Sequence, residues 1–145
     1  WLSADDIMYP NCLQILDNHV LDQNTIYYTN YDKIDESGNL FNEFIEPLQR
    51  NSRTKQERKQ ELLRYFYGNG SSSVIHKSIF EKCGLFDESL PYFEDYEFWL
   101  RCVCKYDIDM KLIPEKSIKY RVHDGQMTNR VDNSLAEQLK TRYNV

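Results

Sequence analysis

Apolar residues recur at helical spacing in the first part of the chain, at Cys12, Leu13, Ile15, Leu16 and Val20, behind a proline at position 10. That pattern predicts a helix over about residues 10–19 with one buried face. Leu2 closes an apolar opening and is expected to end a strand whose tip carries Asp5 and Asp6. Thr25–Asn30 is β-branched and aromatic, hence a strand. Tyr31–Asn39 has turn chemistry, with Gly38 as pivot. Residues 54–67 predict a polar helix with Leu62, Leu63, Tyr65 and Phe66 near its end, broken by Gly68-Asn69-Gly70. Ser71–Ile75 reads as a short extended segment, and His76–Cys83 as a short helix capped by Gly84. A helix is expected from Glu94 to about Lys105, burying Phe98, Trp99, Cys102 and Val103. Met110–Ile113 and Ser117–Val122 read as two strands joined by a turn at Pro114. Asp132 or Asn133 can cap a last helix to about Tyr143.

The order β–α–β–α–β–α–β–β–α predicts an α/β fold with a mixed sheet flanked by helices. Ligands of such sheets bind at the carboxyl ends of strands, which puts Asp5 and Asp6 on the ligand face.

At 145 residues the chain has the size of one domain, and 41% hydrophobic with 14% aromatic content excludes a disordered or low-complexity tail. A net charge of −5 disfavours a nucleic-acid binder. The run 50–64 is the exception, with Arg50, Arg53, Lys55, Arg58, Lys59 and Arg64 against Glu57 and Glu61. It reads first as a solvated helix face and second as a patch for anionic lipid head groups or phosphates, which would give a peripheral membrane contact. Cys12, Cys83, Cys102 and Cys104 show no zinc spacing and read as buried free thiols, pointing to a reducing, cytoplasmic compartment. Asp32 and Asp35 do not open a calcium loop, because Ile34 and Ser37 occupy the positions that need an oxygen ligand and a glycine.

Three constellations can carry chemistry. Adjacent carboxylates at Asp5-Asp6 suit a hard divalent ion, or more simply a turn or helix cap. Glu94-Asp95 opens a helix, where the macrodipole favours negative charge; beside Tyr92, Phe93, Tyr96 and Trp99, these acids also suit sugar stacking and general-base chemistry. Arg121 and His123 end a strand at a loop mouth, able to hold phosphate and to complete a metal shell, or to serve as surface groups.

Four stretches in order resemble the family 2 inverting glycosyltransferases of GT-A fold: residues 1–10 (WLSADDIMYP), 73–90 (SVIHKSIFEKCGLFDESL), 94–101 (EDYEFWLR) and 120–128 (YRVHDGQMT). The resemblance implies a catalytic Asp95, acting as base on the acceptor hydroxyl. It implies donor diphosphate contacts at Asp5 and Arg121, acceptor contacts at Glu94, Tyr92 and Trp99, and Mg²⁺ or Mn²⁺ held by Asp6 and His123. Ser3 stands where many family members have Asp. The implied partners are a nucleotide-sugar donor and a saccharide or lipid-linked acceptor, in polysaccharide or cell-surface glycan synthesis, at the cytoplasm or the inner membrane face.

By that resemblance residues 1–128 form the C-terminal, metal- and acceptor-binding half of a catalytic domain, and 129–145 a helical extension. The βα units that bind the nucleotide are expected upstream, so the chain alone should transfer little sugar, and an exposed sheet edge would favour homo-oligomers. The alternatives are a carbohydrate-binding or scaffold module of the same fold and another metal-dependent nucleotidyltransferase.

Overall fold

The computed structural model describes residues 1–19, 22–46, 48–65 and 68–144. In chain order the elements are β1 (Ile7–Met8), α1 (Cys12–His19), β2 (Thr25–Ile34), β3 (Leu40–Phe44), α2 (Lys55–Leu62), β4 (Ser73–Val74), α3 (Lys77–Cys83), α4 (Glu94–Lys105), β5 (Asp109–Arg121) and α5 (Asn133–Tyr143). Short 3-10 turns span Leu48–Ser52, Gly70–Ser72 and Met127–Arg130. The sheet order is β1–β5–β2–β3, with β4 also paired to β2. β2 and β5 run parallel; β1, β3 and β4 pair antiparallel to their neighbours. This is the expected mixed α/β architecture.

Local chemistry sets most helix ends. Thr54 and Glu57 form a reciprocal capping box at the start of α2. Asp132 caps α5 through the Ser134 amide at 2.9 Å. Gly84 follows α3 at φ +84°, a conformation suited to glycine. The main core lies between one sheet face and α2–α5, where Ile26, Tyr28, Met110 and Leu112 meet Phe98, Trp99, Cys102 and Leu139. Glu97 is buried inside this layer, and its charge is matched by Arg101 at 3.0 Å and by the Tyr143 hydroxyl, which ties α5 to α4. Cys12, Cys83 and Cys102 are buried thiols and Cys104 is half-buried.

Four expectations change. Residues 1–3 lie outside regular structure, so Asp5 and Asp6 precede a short strand instead of ending one. Leu13 is 73% exposed, leaving Cys12 as the fully buried residue of α1, with Ile15 and Leu16 half-buried; Val20 and Phe66 lie outside the described residues. β2 runs on through Tyr31 to Ile34, and the turn is confined to Asp35–Gly38, after which β3 completes a hairpin. Gly38 sits at φ +89°, while Asp35 accepts the Asn39 amide at 2.8 Å. Finally, Pro114 does not divide two strands. β5 is continuous, and its register against β2 shifts around Thr29–Tyr31. The Asn30 side chain serves this bulge, donating to the Pro114 carbonyl at 2.7 Å and accepting the Glu46 amide at 2.8 Å.

That irregularity swaps the faces of β2. Tyr28 packs against α4, and Thr29 points the other way, onto Ser117 at 2.5 Å, on the α1 side. Beyond Asn30 the residues returning to the α4 side are Tyr31 and Lys33, while Asp32 turns to Tyr9 and Lys116.

The basic run is largely neutralised. Arg50 pairs with Glu46, Arg53 with Glu61, Lys55 with Asp107 and Arg58 with Asp109. Among the described residues no helix is long and apolar enough to cross a membrane.

Candidate active site

A cavity of about 580 Å³ opens between the C-terminal half of β2 and the N-terminus of α4. Its sheet wall carries Tyr31, Lys33, Phe44 and Tyr120; its helix wall is Tyr92-Phe93-Glu94-Asp95; Gly68-Asn69-Gly70, Trp1, Ser3 and Asp5 line the inner side, and the turn from Gln126 forms the rim. A second hollow, lined by Leu13, Gln14, Leu16, Asp17 and Val74, is mostly apolar and carries one carboxylate.

The acidic pair before β1 is divided by the fold. Asp6 is buried, and its Oδ1 accepts the Arg121 main-chain amide at 2.9 Å. Burial pushes the Asp6 carboxyl above its usual range, against the opposing pull of the Ser71 hydroxyl and the Arg121 amide. Asp5 instead faces the cavity, and its Oδ2 lies 3.2 Å from His123 Nε2. Arg121 spends its guanidinium on main-chain carbonyls. Nε donates to Asp5 and one Nη donates to Asp35 and Glu36, each at 2.9 Å. It therefore fastens the Asp5 turn to the β2–β3 hairpin. Gln126 holds the following loop, donating to the Arg121 carbonyl at 2.6 Å and the Tyr120 hydroxyl at 2.9 Å.

Across the cavity, Glu94 and Asp95 open α4 as anticipated. Phe93 precedes them at φ 64°, ψ 22°, a left-handed conformation costing about 1 kcal/mol for a residue with a Cβ. It turns the chain so that both acids stand on the cavity wall. Asp95 Oδ1 accepts the Tyr96 amide at 2.7 Å. Burial raises the Asp95 pKa to about 6; the neighbouring Glu94 charge adds to the shift, and main-chain amides oppose it.

Asp5, Tyr92, Glu94 and Asp95 are thus brought around one cavity, with His123 attached through Asp5. Trp99 is not. It is fully buried in the core, as the sixth residue of α4 and one turn beyond Asp95, so it offers no surface to an acceptor. Its ring packs under the chain at Gly68, where an added Cβ would lie 2.4 Å away. Lys33, Tyr31, Phe44, Tyr120 and Gln126 carry no role in the sequence-based reading. Tyr31 and Lys33 would have emerged from a β2 strand carried past Asn30, but the polar run ahead resembles a turn and the bulge reverses the expected faces.

Among the described residues no three His, Cys, Asp or Glu side chains are arranged to hold a metal. Asp5 and His123 provide one carboxylate and one imidazole at the cavity edge, a donor set for a hard divalent ion that keeps water and phosphate oxygens in its shell.

Residues 3–138 match the model of a family described as glycosyltransferase-like family 2. An uncharacterised glycosyltransferase of Rickettsia typhi is 38% identical over 144 residues, covering 94% of this chain and 43% of the relative. One from Rickettsia prowazekii is 35% identical with the same coverage. One from Methanocaldococcus jannaschii is 29% identical over 133 residues, covering 83% of this chain and 40% of the relative. The chain spans less than half the length of these relatives. With the family match running through nearly all of the chain, from the Asp5–Asp6 turn to α5, this protein belongs to the glycosyltransferase-like family 2.

Proposed function

We propose that this chain carries the acceptor side and the catalytic base of an inverting glycosyltransferase of GT-A type, which uses a nucleotide-sugar donor in glycan synthesis. The observation that carries the reading is Asp95: a carboxylate on a cavity wall, poised near pH 6 by burial, opposite an aromatic wall that suits a sugar ring. Asp95 Oδ2, the oxygen not engaged by the Tyr96 amide, accepts the proton of an acceptor hydroxyl. The acceptor oxygen forms its bond to the anomeric carbon as the bond from that carbon to the diphosphate breaks. The electron pair leaves with the diphosphate, and the configuration inverts.

Mg²⁺ or Mn²⁺ fits the Asp5–His123 edge and would neutralise the charge growing on the departing diphosphate. In this reading Asp5 and His123 hold the ion, because Asp5 faces the cavity. Asp6 and Arg121 act as positioning residues, because the Asp6 carboxylate and much of the Arg121 guanidinium are engaged with main chain. Tyr92 and Glu94 line the acceptor side.

Product analysis on the longer protein that contains this chain tests the reading. Incubated with nucleotide-sugars and saccharide acceptors, it should release nucleoside diphosphate and form a glycosidic bond of inverted configuration. Release of pyrophosphate would indicate nucleotidyl transfer, and sugar binding without turnover would leave a carbohydrate-binding module.

A further inference from the structure

The sheet wall of the cavity holds a cation, Lys33, whose cross-strand partners are uncharged, while the cavity's carboxylates, Asp5, Glu94 and Asp95, stand on its other walls. Lys33 pairs in the ladder with Tyr120 on β5 and Asn42 on β3. The acids beside it are committed elsewhere: Asp32 accepts Lys116 at 2.6 Å, and Glu43 pairs with the same lysine. Next along the wall, Tyr31 and Phe44 stack at 4.7 Å with their planes 10° apart, and Tyr120 meets Tyr31 edge-on at 5.7 Å. Tyr31 is buried beneath, while Phe44 and Tyr120 keep part of their rings open. The side chains at this wall therefore combine apolar ring faces with one ammonium group.

We infer that this wall is a subsite for a saccharide bearing an anionic substituent, with Lys33 reading the charge and the Phe44–Tyr31–Tyr120 cluster supporting the sugar ring. The inference rests on the reading of the cavity as a glycosyltransferase site and names the class of sugar it takes. Carboxylate and phosphate share the required chemistry.

The 145-residue chain can be titrated with methyl glucoside, glucuronate, glucose 6-phosphate and uridine diphosphate, following binding by NMR. At least one acidic sugar should bind roughly 10-fold more tightly than the neutral one, the size of a charge-assisted hydrogen bond; which acid wins identifies the substituent. Lys33→Gln should remove that difference and leave methyl glucoside binding unchanged, whereas Phe44→Ala should weaken all three sugars several-fold. The absence of any Lys33-dependent difference between acidic and neutral sugars overturns the inference. So does a Lys33→Gln effect confined to uridine diphosphate, which would put Lys33 at the donor diphosphate. Circular dichroism of both variants checks the fold. Acid discrimination without sugar transfer by the longer protein would sink only the transferase reading, and transfer without discrimination would sink only this one.

Discussion

The main-chain amide of Arg121 donates to Asp6 Oδ1 at 2.9 Å, and the Arg121 guanidinium donates back to the Asp5 carbonyl at the same distance. Two residues more than 110 positions away in sequence are thus held by this arginine, Asp6 by its main chain and Asp5 by its side chain. Asp6 anchors the end of β5 from below, which leaves Asp5 as the carboxylate presented to the cavity.

Arg121→Ala should therefore loosen the acidic turn and the β2–β3 hairpin together. The loss of charge-assisted bonds to three carbonyls predicts destabilisation of about 1.5–3 kcal/mol, read from denaturant unfolding. Arg121→Lys should recover little of it, because one ammonium cannot span the carbonyls of Asp5, Asp35 and Glu36. Full stability in the Lys variant would contradict the clamp.

Asp95 carries a cost that depends on pH. Its folded-state pKa lies near 6, above the ordinary carboxylate value, so ionisation is harder in the folded chain than in the unfolded one. The penalty is absent where both states are protonated and complete above about pH 6. Asp95→Asn should accordingly be more stable than the parent by on the order of 1–3 kcal/mol at pH 7.5, with the advantage fading as pH falls from 6 toward 4. Thermal melts of the two proteins across that range check the sign.

Gly68→Ala probes the seam between core and cavity. The new methyl would sit 2.4 Å from the Trp99 ring, which is fully buried and has little room to yield. Overpacking of this kind costs about 1–3 kcal/mol. Urea unfolding followed by tryptophan fluorescence measures it.

The basic run divides into structural and surface charges. Arg58 is buried and holds Asp109 through two hydrogen bonds, so Arg58→Met should destabilise by about 3–5 kcal/mol by leaving Asp109 uncompensated. Lys59→Gln, a half-buried position in the same helix, should stay within about 0.5 kcal/mol. Equal effects in denaturant titrations would contradict the division.

The α4 helix was legible from residue types alone. Its acidic opening, its apolar face and its last residue coincide with the observed span. Capping chemistry also located α5 and the end of α3. What escaped depends on contacts distant in sequence. The two halves of β5 look separate because Pro114 reads locally as a turn, yet the Asn30 side chain bridges the bulge it makes. The exchange of faces at Asn30 hides Lys33 and Tyr31, since strict alternation would send them to the α1 side. Trp99 looked like a sugar platform beside the acids, but it lies one helical turn deeper than Asp95, where the Gly68 backbone covers its ring and leaves it fully buried.

Sugar transfer by Asp95→Asn in the longer protein is the most direct test. Asparagine keeps the size of the side chain and cannot take the acceptor proton. The account predicts a fall in kcat of roughly 10²–10⁴-fold with donor binding retained, and a parent rate that rises with pH through about 6 and then levels. Transfer by Asp95→Asn at the parent rate, with the same pH profile, would contradict it.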